Sequence, residues 1–393
     1  MTKNSRAANA CKISVLLLFS SILLGCNFAP SYQQPQDVVA ATVPDATPAP
    51  ALAPAVLAAA QADALQWLAD DRLRHTVALA LHNNRDLRIA ADNVAKARAQ
   101  YGIARADQLP SITAQLQGQR SRSSADVSNS TRLVNEQVSA SIGFASYEVD
   151  LWGRIRNLNA AAWQQFLQVQ ENRRGVEIAL IAEVANAWLT LAADQERLAL
   201  AQQTLDTREQ SYALMRRMFQ LGATSGLALA QNLGTVETAR GDVALYTAQL
   251  ARSHNALQLL VGAALAAEAL PPAGWLQAPA QAVWPALPQA LPSSVLLARP
   301  DVQAAEHALI AQHAHIGAAR AAFFPTISLT ASTGSSSTAL DALFTGASRT
   351  WNFAPAVHLP IFSGGRLRAG LQVAQANQRI ALAQLAGILD GTP

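Results

Sequence analysis

The sequence predicts a mainly α-helical chain that also carries transmembrane β-strands, built from a duplicated unit of two strands and a long helix. Three observations carry that expectation. First, residues 299–327 (RPDVQAAEHALIAQHAHIGAARAAFFPTI) lie without a gap over residues 84–112 (NRDLRIAADNVAKARAQYGIARADQLPSI). Asp86 meets Asp301, Gly102 meets Gly317, Arg105 meets Arg320, Pro110 meets Pro325 and Ile112 meets Ile327. Each copy reads as a helix stopped by proline and followed at once by an alternating polar/apolar run, so the repeat is an architectural unit. Second, residues 154–220 contain no proline, and Val184, Leu191, Leu198, Leu205, Tyr212 and Phe219 hold a seven-residue period. Such a period marks a coiled-coil-like seam. Third, four short segments alternate apolar and polar residues, two after each copy of the repeat.

Composition bounds the alternatives. With 393 residues, 51% hydrophobic and 14% charged, the chain is long enough for more than one domain and is not compositionally disordered. Its net charge of +3 carries no Lys/Arg stripe, so nucleic acid is not an expected partner. Both cysteines lie within the first 26 residues, which leaves no disulfide framework or cysteine metal site for the body of the chain.

Residues 1–25 read as a signal peptide: Lys3, Arg6 and Lys12 precede an apolar run over 13–24 that is too short to span a bilayer as a helix. The run ends Leu23, Leu24, Gly25, Cys26, which resembles the bacterial lipobox and marks Cys26 as a lipid-attachment site. Asn27 follows it, without the aspartate that resembles an inner-membrane retention signal, so the expected address is the outer membrane. Residues 26–64, rich in proline and alanine, read as a tether or a strap laid on another surface.

The first repeat is assigned to residues 65–262. Leu73, Ala80, Leu87, Val94 and Tyr101 recur every seventh residue, predicting one helix that Pro110 closes. In the first strand Ala114 and Leu116 oppose Thr113, Gln115 and Gln117; in the second Val138, Ala140, Ile142 and Phe144 oppose Ser139, Ser141 and Gly143. Their lengths suit transmembrane strands, although a soluble hairpin with one buried face alternates in the same way. The long helix over 154–220 decides between them, because at 1.5 Å per residue it extends roughly 100 Å and suits a helical barrel rather than a globule. A break at FQLGATSGL separates it from a returning helix with Leu229, Val236, Val243, Leu250 and Leu257 at the same period. Gly175, Gly234 and Gly241 inside these helices read as places of close packing or bending.

A Pro-rich linker over 263–293 leads to the second repeat, residues 294–393. Its strands set Ile327, Leu329 and Ala331 against Ser328 and Thr330, then Trp351, Phe353 and Val357 against Asn352, Ala354 and Ala356. Arg366 opens a helix where Arg154 opens one in the first copy, but about 80 residues of counterpart are missing, so the second repeat is expected to be truncated. Four strands cannot close a barrel, and open edges are not tolerated in lipid. Two copies would bring eight strands, with an interior filled by side chains; three would bring twelve and leave a lumen. The polar face (Thr113, Gln115, Ser139, Ser141, Ser328 and Thr330) suits a wet lumen, the apolar face lipid.

Several stretches in fixed order resemble one family. They are CNFAPSY from Cys26, YEVDLWGR from Tyr147, LARPDV from Leu297, AAFFP from Ala321, and Pro360, Ile361 and Phe362 with Gly364, Gly365 and Arg366. Together the chain resembles the outer-membrane factors of tripartite exporters, the TolC-like proteins, and most closely their lipoprotein branch of drug-efflux components. The resemblance implies a homotrimer: a twelve-stranded β-barrel in the outer membrane standing on a periplasmic α-helical barrel. It implies a passive duct for small toxic compounds, lipid-anchored in the Gram-negative outer membrane. Its implied partners are a periplasmic adaptor (membrane fusion) protein and an inner-membrane pump of the RND type. The implied adaptor contact is the helical elbow Leu221, Gly222, Ala223, Thr224, Ser225 and Gly226.

No catalytic constellation, cofactor motif or metal site is expected. His307, His313 and His315 do not share one helical face. Glu148 and Asp150 beside Arg154 read as a charged strand-to-helix turn rather than a general-acid pair, and the serine-rich loops carry no base partner. Two alternatives stand beside the channel: a non-functional truncated remnant, and a lipid-anchored structural coiled coil.

Overall fold

The computed structural model describes residues 27–32, 68, 70–122, 124, 134–277 and 293–391. The signal peptide, Cys26, the tether beyond residue 32 and residues 278–292 of the linker lie outside the described residues. Helix α1 (Asp71–Asn83) starts because the Asp70 carboxylate accepts from the N–H groups of Arg72 (2.8 Å) and Leu73 (3.0 Å). It ends at Asn84, whose backbone is extended (φ −60°, ψ 133°). The Asn84 Oδ1 accepts from Leu87 N at 2.9 Å and its Nδ2 donates to Leu260 O at 2.8 Å. The seven-residue rows predicted one helix here. The capping asparagine makes it two, and α2 (Arg85–Ala106) carries the pattern onward.

Strands β1 (Thr113–Arg122) and β2 (Val134–Val149) follow, then the long helix α3 (Arg154–Gln220) and the returning α4 (Gly226–Val261). The second repeat supplies α5 (Pro300–Ala321), β3 (Thr326–Ser337), β4 (Arg349–His358) and α6 (Arg366–Asp390). The chain forms two compact units, one within residues 1–39, 95–169 and 302–393, the other within 40–94 and 170–301.

The second of these is helical. Leu73, Val77 and Ala80 of α1, Val184, Trp188 and Leu191 of α3, and Leu257 and Val261 of α4 form its dry core. Burial along the α3 seam grades outward: Val184 and Leu191 are buried, Leu198, Leu205 and Tyr212 half-buried, and Phe219 exposed. Trp188 is fully buried, meets the Trp275 ring edge-on at 4.9 Å, and donates its indole N–H to Ala269 O at 3.0 Å. Trp275 in turn donates to Asp70 at 2.9 Å, so part of the Pro-rich stretch packs on this core. The fully buried Asp194 carboxylate of α3 accepts from Arg197 (2.8 Å) and from the Ser253 hydroxyl of α4 (2.5 Å). A Cβ added at Gly175, Gly234 or Gly241 would meet nothing within 4 Å, so these glycines are not close-packing points among the described residues.

The first unit is built on one antiparallel sheet in the order β1-β2-β3-β4. The register sets Ala114 beside Ile142, Thr333 and Trp351, and Phe144 beside Ala331 and Phe353. Between Phe144 and Tyr147 a bulge inserts one extra residue in β2, with Ser146 at φ 54°. Unbroken alternation would place Phe144 and Glu148 on one face. The bulge reverses the parity, so Tyr147 and Val149 continue the apolar face and Glu148 turns to the polar one. In β4, Pro355 lies on the edge strand of this sheet, opposite Leu329.

Replacing Trp188 by alanine removes the largest core side chain of the helical unit together with its hydrogen bond. The expected cost is about 3–5 kcal/mol, seen as an earlier midpoint when helix content is followed through urea unfolding, while Trp188→Phe loses less.

Candidate functional site: a two-faced sheet, its corner and an elbow

The register brings all six polar strand candidates to one face. Gln115 stands opposite Ser141, Thr113 opposite Gly143, and Ser139 opposite Ser336. Ser328 faces Ala356 and Thr330 faces Ala354. Small hydroxyls, amides and glycines make this face wettable. Leu116, Ile142, Trp351, Phe353 and Val357 on the opposite face are between 52% and 80% exposed. A contiguous apolar surface of that kind calls for a nonpolar neighbour.

At the foot of the sheet, α5 ends before Pro325 and the chain turns directly into β3. The Phe324 ring is held between Phe28 (centroids 4.6 Å apart, planes 11° apart) and Trp152 (5.0 Å, 27°). Trp152 donates its indole N–H to Pro325 O at 2.7 Å, and Arg320 donates to Phe28 O at 3.2 Å. Residues 27–32 thus lie as a strap along α5. Gly317 permits it, because a Cβ there would come within 2.8 Å of the Ala29 backbone. Tyr32 donates to Glu306 at 2.7 Å, and burial followed by that bond pushes its phenol well above the ordinary value.

The turn from β2 into α3 is closed by charge. Arg154 donates to both Glu148 oxygens at 2.8 and 2.5 Å, and that bond raises its already high pKa. Asp150 takes a separate role, accepting from the Arg156 backbone N–H at 2.8 Å within the first turn of α3.

The elbow residues Leu221, Gly222, Ala223, Thr224, Ser225 and Gly226 join α3 to α4. Ala223 N donates to Met218 O (2.8 Å) and Gly222 N to Phe219 O (2.9 Å), the paired bonds of a Schellman stop, with Gly222 at φ 74°. Ser225 then caps α4 by accepting from Ala228 N. Leu221 and Leu227 are 83% and 70% exposed beside it.

His307 and His313 meet different partners. His307 pairs with Gln164 at 2.7 Å, and His313 packs against the Tyr32 ring edge and Gln378 of α6. Burial lowers the pKa of His313, opposed in part by the Pro30 backbone, and it also lowers that of His315. Among the described residues no group of three or more His, Cys, Asp or Glu is placed to hold a metal. The aromatic sandwich is the feature that residue patterns alone did not assemble. Its one signal is an aromatic within two residues of a proline or glycine in each of CNFAP, LWGR and FFP.

Comparison with known proteins gives one answer. The family model described as outer membrane efflux protein matches residues 76–263 and 291–387. A probable efflux pump outer membrane protein of Pseudomonas putida, TtgC, is 41% identical over 373 residues, which are 94% of this chain and 76% of that protein. Outer membrane protein OprJ of Pseudomonas aeruginosa is 42% identical over 381 residues, 95% of this chain and 77% of OprJ. Among solved structures, a membrane protein from Pseudomonas aeruginosa superposes with TM-score 0.81 at 40% identity, covering 93% of this chain and 81% of that one. The open MtrE outer membrane channel of Neisseria gonorrhoeae superposes with TM-score 0.75 at 33% identity, over 93% and 79%.

The strap should be sensitive to acid. A histidine whose folded pKa is depressed adds its full stability above the ordinary imidazole value of about 6.5 and loses it as pH falls through and below that value. Protection factors of the strap amides within residues 28–32, corrected for the intrinsic slowing of exchange in acid, should therefore fall between about pH 7 and pH 5. His313→Gln should flatten that dependence; an unchanged profile in the variant would show that His313 does not govern the strap.

Proposed function

Because the chain belongs to the outer membrane efflux protein family, we propose that it forms, as a lipid-anchored homotrimer, the outer-membrane duct of a tripartite efflux pump. The observation that carries the reading is the two-faced sheet. One face is lined by Thr113, Gln115, Ser139, Ser141, Ser328 and Thr330; the other offers exposed Leu, Ile, Val, Phe and Trp. In a barrel the first face lines water and the second meets acyl chains, with Trp351 and Phe353 suited to the interfacial aromatic belt. The edge strands β1 and β4 need partners in lipid, and copies of the same chain supply them as a closed ring. Twelve strands from three copies leave a lumen, whereas eight strands from two would be filled by side chains.

The family is one of passive channels rather than enzymes, so transport needs no catalytic group here. The energy comes from an inner-membrane pump of the RND type, reached through a periplasmic adaptor that docks on the elbow Leu221, Gly222, Ala223, Thr224, Ser225 and Gly226. Exposed Leu221 and Leu227 give that tip an apolar surface for a partner. Cys26 carries the lipid and ties the chain to the outer membrane. Small toxic compounds are the cargo, as the names of the efflux relatives suggest.

Two measurements test the reading. Deleting the gene should raise susceptibility to organic solvents or antibiotics, restored by the intact gene and less well by Cys26→Ser. In planar bilayers the purified protein should conduct, and Ser141→Asp should move the reversal potential in a salt gradient toward cation selectivity. Absence of conductance together with unchanged susceptibility would overturn it.

A further inference from the structure

The internal duplication makes a specific demand on two exposed corners. Within the chain, β2 pairs with β3, and Trp152, just past the end of β2, seats on Phe324 and Pro325, just before β3. The same backbone seat is built a second time at the end of α2. There Asp107 N bonds Ile103 O (3.2 Å), Gln108 N bonds Arg105 O (3.2 Å) and Leu109 N bonds Ala106 O (2.9 Å). At the end of α5, in the same order, Ala322 N bonds Ala318 O (3.2 Å), Phe323 N bonds Arg320 O (3.2 Å) and Phe324 N bonds Ala321 O (3.1 Å). Leu109 therefore holds the place of Phe324, and each seat is followed by a proline and a strand.

The covering arm is duplicated as well. Gly153 (φ 76°) accepts from Asn157 N at 2.9 Å to open α3, and Gly365 (φ 84°) accepts from Ala369 N at 2.9 Å to open α6. The aromatic before Gly153 is Trp152; the aromatic before Gly365, after a two-residue insertion, is Phe362. The first arm and seat are in contact. The second pair is bare: Ile361 is 92% and Phe362 90% exposed, while Leu109 is 70% and Ile112 68% exposed. Within one chain they stand at opposite edges of the sheet, after β4 and before β1. A second copy whose β1 pairs with β4 in the sense of β2 with β3 would bring Leu109 under Phe362.

We propose that Ile361 and Phe362 of one copy close over Leu109, Pro110 and Ile112 of the next, repeating between chains the clasp that Trp152 makes within one. The occupant of each bare corner is a second copy of this chain, so the inference rests on the ring reading above and adds its residue contacts. Phenylalanine lacks the indole N–H, so the contact between copies is purely apolar and relies on burial. Its loss should weaken assembly while leaving each chain's fold intact.

The test uses the full chain in membranes carrying Leu109→Cys with Phe362→Cys, since a disulfide forms only between closely placed Cα atoms. Under mild oxidation the clasp predicts a reducible shift from one-chain to two- and three-chain mass, absent from either single-cysteine variant. Oligomeric mass is measured separately in detergent. A trimer without the cross-link overturns the clasp and leaves the ring standing; a monomer overturns both. Should the paired variant fail to accumulate, Phe362→Ala serves instead: it should lower the temperature at which the trimer dissociates without changing helix content, and an unshifted temperature overturns the clasp.

Discussion

Backbone polar groups in a hydrocarbon environment have to be satisfied by protein, and the sheet unit of this chain is arranged around that requirement. Inside the sheet the ladder satisfies them from β1 to β4. At the foot, each helix-to-strand corner ends its helix with short turn bonds and hands the chain straight to a strand, so little backbone is left unpaired. What remains is the pair of outer edges, β1 and β4, whose outward backbone groups find no partner strand within this sheet. The proposed clasp would let another copy complete them with contacts already used once inside the chain.

The β2 bulge answers a conflict between two demands on the same strand. The apolar side of β2 has to continue toward the helices, and a carboxylate has to reach Arg154 at the start of α3. With strict alternation Glu148 would share the face of Phe144, where a charge beside lipid or core is costly. One extra residue at Ser146 gives Tyr147 to the apolar face and Glu148 to the polar one, where it holds the arginine bidentately. Ser146 bears a left-handed backbone as the local cost.

Periodicity made much of this legible from residues alone. Alternation of period two in Thr113, Gln115, Ser139 and Ser141 identified a polar face, and the ladder register assembles those residues as neighbours. The seven-residue rows in α3 and α4 identified the seam, which burial follows from Val184 to Tyr212 before Phe219 is exposed. Three features escaped because they depend on partners far away in sequence. Asn84 stops a helix by bonding Leu260, 176 residues on. The bulge is a parity change that only pairing with β3 exposes. The aromatic sandwich joins Phe28, Trp152 and Phe324, three segments with no shared period. The elbow is an intermediate case: its glycine and serine announce a turn, while the exposure of Leu221 and Leu227 at that tip is seen only in the structure.

Asp194 has a mechanical meaning beyond its hydrogen bonds. Two long antiparallel helices with regular apolar rows can slide by a turn and re-form most of their contacts, because the rows look alike after each step. A slip would take the buried carboxylate away from the one hydroxyl that reaches it across the seam, leaving it only the Arg197 bond on its own helix. The Asp194–Ser253 bond acts as an indexing pin for the hairpin. It sits about 40 Å of helix from the elbow, so the tooth that sets where the tip stands lies well away from the tip itself.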